Sequence, residues 1–189
     1  RHGTVGLIVQ GGLYNTTIRA LQQAGLANGL GETDIPMLVL NVVYPLVPEQ
    51  IAAFCADKRA VLVIEEGQPE YHEQNIHTIL GRAGVRTTLH GKDMLPSGGE
   101  YTAEVMADGL LKFLSRHEPL AVPESTREWL QTNSIRRQDV QSMLGSPVPA
   151  RPPSMCIGCP ERPVFSALKL AQEKVGPVHV SGDIGCHAL

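Results

Sequence analysis

The chain has 189 residues, 42 % of them hydrophobic and 19 % charged, with a formal net charge of −3. That length buries one good core and part of a second, in a composition typical of globular proteins. Scattered Lys and Arg with a slight acidic excess exclude a nucleic-acid surface, which needs a clustered basic footprint.

The best apolar run, Met37 to Val47, is broken by Asn41 and Pro45 and is too short to span a bilayer. No charged n-region precedes an apolar h-region, so no signal peptide is visible. Four cysteines, two of them in Cys-x-x-Cys, fit a reducing compartment and site or packing roles. The expected location is the cytoplasm. The chain lacks an initiator Met and stops soon after a predicted strand with no closing element, so it reads as an excerpt of a longer polypeptide.

From Thr4 the pattern is strand, helix, strand, helix. Val5 to Val9 is apolar apart from Gly6 and runs into Gly11-Gly12; Tyr14, Ile18, Leu21 and Gly25 then form a helical stripe. Met37 to Val43 is the near-continuous apolar run of a strand buried on both faces. Ile51, Phe54 and Cys55 give the face of a short helix starting near Pro48, and Ala60 to Ile64 is a second buried strand. A helix from about Tyr71 to Gly84 turns Ile76, Ile79 and Leu80 inward, and Val85 to Leu89 reads as a strand. Thr102 is suited to N-cap a helix whose face is Val105, Met106, Leu110, Phe113 and Leu114. Such alternation predicts an α/β fold, doubly wound around a mostly parallel sheet, ending near His117.

From Glu118 to Pro153 prolines bracket two short helical candidates, Glu124 to Thr132 and Arg136 to Leu144. This is the composition of a connector that packs across a surface, with Trp129 as its buried anchor. The expected division is therefore 1–117, a linker over 118–153, and a further α/β unit starting at 154.

That last stretch holds the densest chemistry. Cys156, Gly158, Cys159 and Pro160 precede a helical pattern of Val164, Leu168, Ala171 and Val175. Val178 and Val180 alternate with His179 and Ser181 as in a strand, which Gly182 and Gly185 break. Glycine-bearing loops at a helix start and beyond a strand end are where α/β folds collect ligands, and the helix N–H groups there favour an anion.

Plainer readings stand beside these. Gly11-Gly12 lacks the Gly-x-Gly-x-x-Gly spacing and no acidic residue ends the second strand, which argues against a dinucleotide site. Glu65 and Glu66 could face a cleft, although such a pair is more often a solvated strand end. His2, His72, His77, His90, His117 and His179 have no metal spacing and read as surface or satisfied core residues. Cys55 reads as a small apolar residue. Cys156, Cys159, Cys186 and His187 could close a zinc site, giving a small Cys/His zinc-binding α/β protein, but adjacent residues rarely both turn to one ion. A thioredoxin-like pair should follow the first strand of its own unit, whereas this one follows a proline-rich linker. No metal ligand is assigned.

Cys-x-Gly-Cys-Pro followed by Ser-Gly-Asp-Ile-Gly-Cys resembles the opening of the thiamine-diphosphate-binding domain of the 2-oxoacid:ferredoxin oxidoreductase family. Within it the pair is most similar to the α subunit of the indolepyruvate branch. Val-Ile-Glu-Glu-Gly at positions 63–67 resembles a segment of the transketolase C-terminal-like domain that this subunit carries just before, so the resemblance spans most of the chain. The sequence departs from the usual pattern at Glu161, where histidine is commoner, and at His187, where tyrosine is commoner.

The resemblance implies a transketolase C-terminal-like domain over 1–117, the linker, and over 154–189 the incomplete start of a thiamine-diphosphate-binding domain. It implies that Gly158, Cys159, Pro160, Gly182, Asp183, Ile184, Gly185, Cys186 and His187 lie around the cofactor, with shape and polarity as the role of the cysteines. It places Glu65 and Glu66 at a domain interface. Asp183 suggests a magnesium ligand by residue type, but the family holds that ion with a second Gly-Asp motif further along. Asp183 is therefore expected to fix its loop or face the substrate. The activity implied for the parent enzyme is oxidative decarboxylation of a 2-oxoacid, an arylpyruvate such as indolepyruvate, to the acyl-CoA, with electrons passed to ferredoxin. Thiamine diphosphate with Mg²⁺ and 4Fe-4S clusters are the implied cofactors, the clusters lying outside this chain. The implied partners are the β subunit, ferredoxin, coenzyme A, the 2-oxoacid and a second α subunit, with no nucleic acid and no membrane. No catalytic base is visible, and the fragment alone is expected to be inactive. The other reading is a non-catalytic subunit-interaction module.

Overall fold

The computed structural model describes residues 4–67, 69–146, 159 and 161–180. The chain divides into two units, Arg1–Asp139 and Val140–Leu189. In the first, β1 (Val5–Gln10) passes through a 3-10 turn (Gly11–Leu13) into α1 (Tyr14–Gln23). There follow β2 (Met37–Leu40), α2 (Pro48–Cys55), β3 (Ala60–Ile64), α3 (Tyr71–Ala83), β4 (Thr88–His90) and α4 (Ala103–His117). A 3-10 turn at Pro119–Ala121 leads to α5 (Glu124–Leu144), which starts in the first unit and ends in the second.

The strands form one four-stranded sheet in the order β2-β1-β3-β4, with every pair parallel. The central β1 and β3 are covered on both faces, and this is why they read as apolar runs without alternation, whereas the edge strand β2, expected to be buried on both faces, is half-buried over Met37 to Val39. Val5, Leu7 and Val9 of β1 join Ala60, Leu62 and Ile64 of β3 in a core shared with α1 and α4. Ile8, Val61 and Val63 point to the other face and pack with Ile51, Cys55, Ile76, Ile79 and Leu80 of α2 and α3. The α/β reading and the parallel sheet are thus observed.

Several boundaries differ from those expected. β2 stops at Leu40 because its partner β1 stops at Gln10, and beyond that pair there is no neighbour to bond. β4 begins at Thr88, later than Val85, because the Val85 N–H bonds the Leu80 carbonyl at 3.0 Å and closes α3 behind the left-handed Gly84. The buried stripe of α1 is Thr17, Ala20 and Leu21, continued by Leu13 and Ala24, while Tyr14 is exposed. The Thr102 cap forms as expected, its Oγ1 accepting from Val105 N–H at 3.3 Å.

The two helices expected in the linker are one helix of 21 residues. Neither Gly nor Pro occurs between Glu124 and Leu144, and residues such as Asn133 and Ser134 cost a helix only roughly 0.5 kcal/mol each. Trp129 is only partly buried, packed with Leu130 against the α1–α4 core. Thr126 is buried and donates to the Ala24 carbonyl at 2.6 Å.

The second unit contains α6 (Glu161–Val175), where the apolar periodicity predicts a helix. Leu168 is half-buried, but Val164, Phe165, Leu170 and Val175 are exposed. The strand expected at Val178–Val180 is not formed: residues 176–180 carry no regular secondary structure. A strand needs a ladder partner, and among the described residues this one has none.

Candidate functional site

All four strands end at the same edge of the sheet, and the chain reverses its order between β1 and β3. At such a switch point the connections leave the sheet in opposite directions and open a crevice. At this same edge an open cleft of about 450 Å³ lies between the ends of β1 and β2, lined by Gln10, Gly11, Gly12, Leu13, Leu40, Asn41 and Val43, with Glu66 from after β3.

Beside it lies a polar network built on Glu65. This residue directly follows the apolar β3, so its backbone is fixed by the sheet, and its side chain is buried. The carboxylate accepts from the N–H groups of His72 at 3.0 Å and Glu73 at 3.2 Å, in the first turn of α3. The N-cap of that helix, Glu70, supplies no side-chain bond, so Glu65 acts as a cap from outside. His72 Nδ1 lies 2.6 Å from Glu65 Oε1, and its Nε2 lies 3.1 Å from the Val43 carbonyl. One imidazole therefore ties the loop after β2 to the end of β3.

Lys92, after β4, extends the network. Its Nζ donates to the Glu65 carbonyl at 2.6 Å and to the Tyr101 hydroxyl at 2.7 Å, while its N–H donates to Glu73 Oε2 at 3.0 Å. Gly91 makes the last approach possible, since a Cβ there would sit 2.0 Å from Glu73 Oε2. Glu66 accepts from Tyr101 N–H at 2.7 Å and donates its own N–H to Gln10 Oε1 at 3.1 Å. Burial lowers the Lys92 pKa, against the opposing pull of Glu65, Glu73, Glu70 and Glu66. Burial, then the charges of Glu66, Glu65 and Glu73, push Tyr101 up to about 12. The phenol stays protonated at neutral pH and donates to the Pro96 carbonyl. The carboxylates of Glu65, Glu66 and Glu73 hold backbone N–H groups, so the chemistry of this edge is positioning: it pins the 91–102 loop and the start of α3 to the strand ends.

The cofactor residues implied by the motifs belong to the second unit. Gly158, Pro160, Gly182, Asp183, Ile184, Gly185, Cys186 and His187 lie outside the described residues, as does Cys156. Cys159 is described: it is a half-buried free thiol just before α6, and its carbonyl accepts from Arg162 N–H at 3.3 Å. The N-terminus of a 15-residue helix suits an anionic group such as a diphosphate, though Glu161 in its first turn opposes one. Among the described residues no group of three or more His, Cys, Asp or Glu could hold a metal ion, and no helix is long and apolar enough to cross a membrane.

Sequence reasoning missed the Glu65 network. Its one visible signal was an acidic pair placed directly after a wholly apolar strand, where a buried backbone position forces the first carboxylate to find donors. His72 and His90 are satisfied, as read from sequence.

No family model matches the chain. It is 31 % identical over 186 residues to indolepyruvate oxidoreductase subunit IorA of Thermococcus kodakarensis, an alignment covering 98 % of this chain and 25 % of that protein. Identity to the subunit of the same name is 29 % in Pyrococcus abyssi and 27 % in Methanothermobacter marburgensis, again over 98 % of the chain and 25 % and 26 % of the relative. The chain thus spans about a quarter of the length of the curated relatives it matches. Through nearly all of its length it is similar to a stretch of indolepyruvate oxidoreductase subunit IorA, the family to which its paired cysteine and glycine motifs pointed.

Proposed function

We propose that the chain is part of an oxidoreductase subunit whose parent enzyme oxidatively decarboxylates an arylpyruvate, such as indolepyruvate, to the acyl-CoA and passes the electrons to ferredoxin. The observation that carries this reading is the similarity to IorA over 98 % of the chain. In it, residues 1–117 form a transketolase C-terminal-like domain, 118–153 a linker, and 154–189 the start of a thiamine-diphosphate-binding domain. The parallel α/β sheet of the first unit supports the first assignment.

When bound with Mg²⁺, thiamine diphosphate supplies the decarboxylation chemistry, and the protein supplies orientation and electrostatics. The residues proposed to surround it are Gly158, Cys159, Pro160, Gly182, Asp183, Ile184, Gly185, Cys186 and His187. The helix start behind Cys159 would face the diphosphate. Iron–sulfur clusters, the β subunit, ferredoxin, coenzyme A and a second α subunit complete the proposed assembly, located in the cytoplasm. The test is turnover by the assembled parent protein: indolepyruvate- and coenzyme-A-dependent reduction of a viologen dye, lost when thiamine diphosphate is omitted. Absence of 2-oxoacid-dependent reduction in a fully loaded preparation would overturn it.

The Glu65 network favours a second reading for the first unit alone. Its carboxylates are engaged by backbone N–H groups and hold loops in place, which suits a module that makes subunit contacts.

A further inference from the structure

We infer that the strand-end edge of the first unit is a docking face for a protein surface that is apolar at its centre and basic at its rim. The inference deepens the subunit reading above and rests on it.

The apolar part is unusually concentrated. Tyr44 is 82 % exposed, Val42 68 % and Tyr71 67 %, and Val47 and Tyr14 are exposed with them. All five lie just beyond strand ends: Tyr14 opens α1 after β1, residues 42–47 follow β2, and Tyr71 opens α3 after β3. The bond from His72 Nε2 to the Val43 carbonyl joins the second and third of these segments. The cleft lined by Gln10 to Leu13, Asn41 and Val43 joins the first and second. Three of the four tyrosines of the chain therefore crowd one edge, while the fourth, Tyr101, is buried behind it. Tyrosines and valines around a cleft are the chemistry of an interface centre, since an aromatic side chain buries much area for little lost rotamer freedom.

The charge around this patch selects the partner. Lys92 stands at this edge among four carboxylates, those of Glu65, Glu73, Glu70 and Glu66. Glu49 adds another at the first turn of α2, beside the exposed loop. With Lys92 set against these five carboxylates, the edge keeps a negative excess. A surface with Lys or Arg around an apolar centre meets that potential favourably. A second copy of the same edge would set carboxylate against carboxylate, which disfavours self-pairing.

The test is photo-cross-linking in the full-length subunit within its assembled complex, with p-benzoylphenylalanine replacing Tyr44. A control places it at Asp57, whose side chain is 76 % exposed at the opposite end of the sheet. The expected result is a cross-link from position 44 to a peptide containing Lys or Arg beside apolar residues, with a yield at least about tenfold above that from position 57. The yield should fall by about tenfold with Glu49→Lys or on raising salt from about 50 to about 500 mM. Equal yields from the two positions, a captured peptide without basic residues, or a position-44 cross-link between two copies would each overturn the proposal. Indolepyruvate-dependent dye reduction by the unsubstituted complex reports separately on the subunit reading. Turnover without a cross-link removes the docking face alone, and a cross-link without turnover removes the activity alone.

Discussion

Nε2 of His117, at the end of α4, lies 2.8 Å from Nε2 of His90, at the end of β4, and His90 Nδ1 lies 2.6 Å from Asp93 Oδ2. The Asp93 carboxylate, held below its usual range by bonds from Gly91 N–H and His90, accepts the Nδ1–H of His90. That leaves a lone pair on His90 Nε2, so His117 must donate its Nε2–H and keep Nδ1 bare. A second proton on the pair would set two donors against each other.

Burial, followed by the closeness of the His90 ring and the charges of Arg59 and Arg116, lowers the His117 pKa from its ordinary value near 6.5, with Asp93 opposing. A group depressed in the folded state binds its proton first in the unfolded state. Stability is then complete above about pH 6.5 and declines as pH falls through and below that value. Urea midpoints measured from pH 7.5 to 5 should drop, and His117→Gln should flatten the drop. An equally steep decline in the variant would show that the pair does not titrate.

Replacing Glu65 by Gln keeps the size of the side chain but turns one oxygen into a donor facing the N–H groups of His72 and Glu73. Loss of charge-assisted bonds at a buried helix start costs about 1.5–3 kcal/mol. The Glu65→Gln variant should unfold at lower urea with an unchanged slope, because the same surface is exposed. A midpoint equal to that of the unsubstituted chain would remove Glu65 from the capping role.

Gly109 lies where α4 crosses the turn after β4. A Cβ there would stand 2.3 Å from Leu95 Cδ2 and 3.3 Å from the Met94 carbonyl oxygen. Leu95 is buried, so it has little room to move. Gly109→Ala should gain about 1 kcal/mol in helix propensity and lose about 1–3 kcal/mol to overpacking. The expected balance is a destabilisation of about 1 kcal/mol, smaller in a Leu95→Ala background where the space is open. A stabilised single variant would show that the helix and the turn separate easily.

The apolar strands were legible because a sheet covered on both faces removes alternation: Val5 to Val9 and Ala60 to Ile64 are buried throughout. Strand ends were less legible, since Leu40 is set by where β1 stops and Thr88 by the bond from Val85 N–H that closes α3. The α1 stripe was misplaced by weighting Tyr14 over the smaller Thr17 and Ala20, which are the residues that let α1 lie close to α4. Glu65 could be read only as facing a cleft or, more often, as a solvated strand end, because its partners come from α3 and the loop after β4, and no local pattern announces that those segments fold back to it. In the second unit, the cysteine and glycine motifs pointed to the proteins that the chain is similar to, while the described residues place only Cys159 of the residues proposed for the cofactor.

Binding of thiamine diphosphate by residues 1–189 alone should be weak. Of the residues proposed for the cofactor, Cys159 stands before the N-terminus of α6, whose N–H groups favour an anion, but Glu161 in that first turn opposes it. Each charge-assisted contact contributes about 1.5–3 kcal/mol, and two or three of them face an association cost of roughly 4–15 kcal/mol. In the proposed reading, the Mg²⁺ that neutralises the diphosphate is held by a second Gly-Asp motif further along the parent protein, so its charge stays poorly compensated here. The remaining affinity is at best about millimolar. Titration calorimetry with the cofactor and magnesium chloride checks this on the isolated chain. Micromolar binding would mean that a magnesium site lies within these 189 residues, and Asp183, by its residue type, would be the first side chain to replace with Asn to find it.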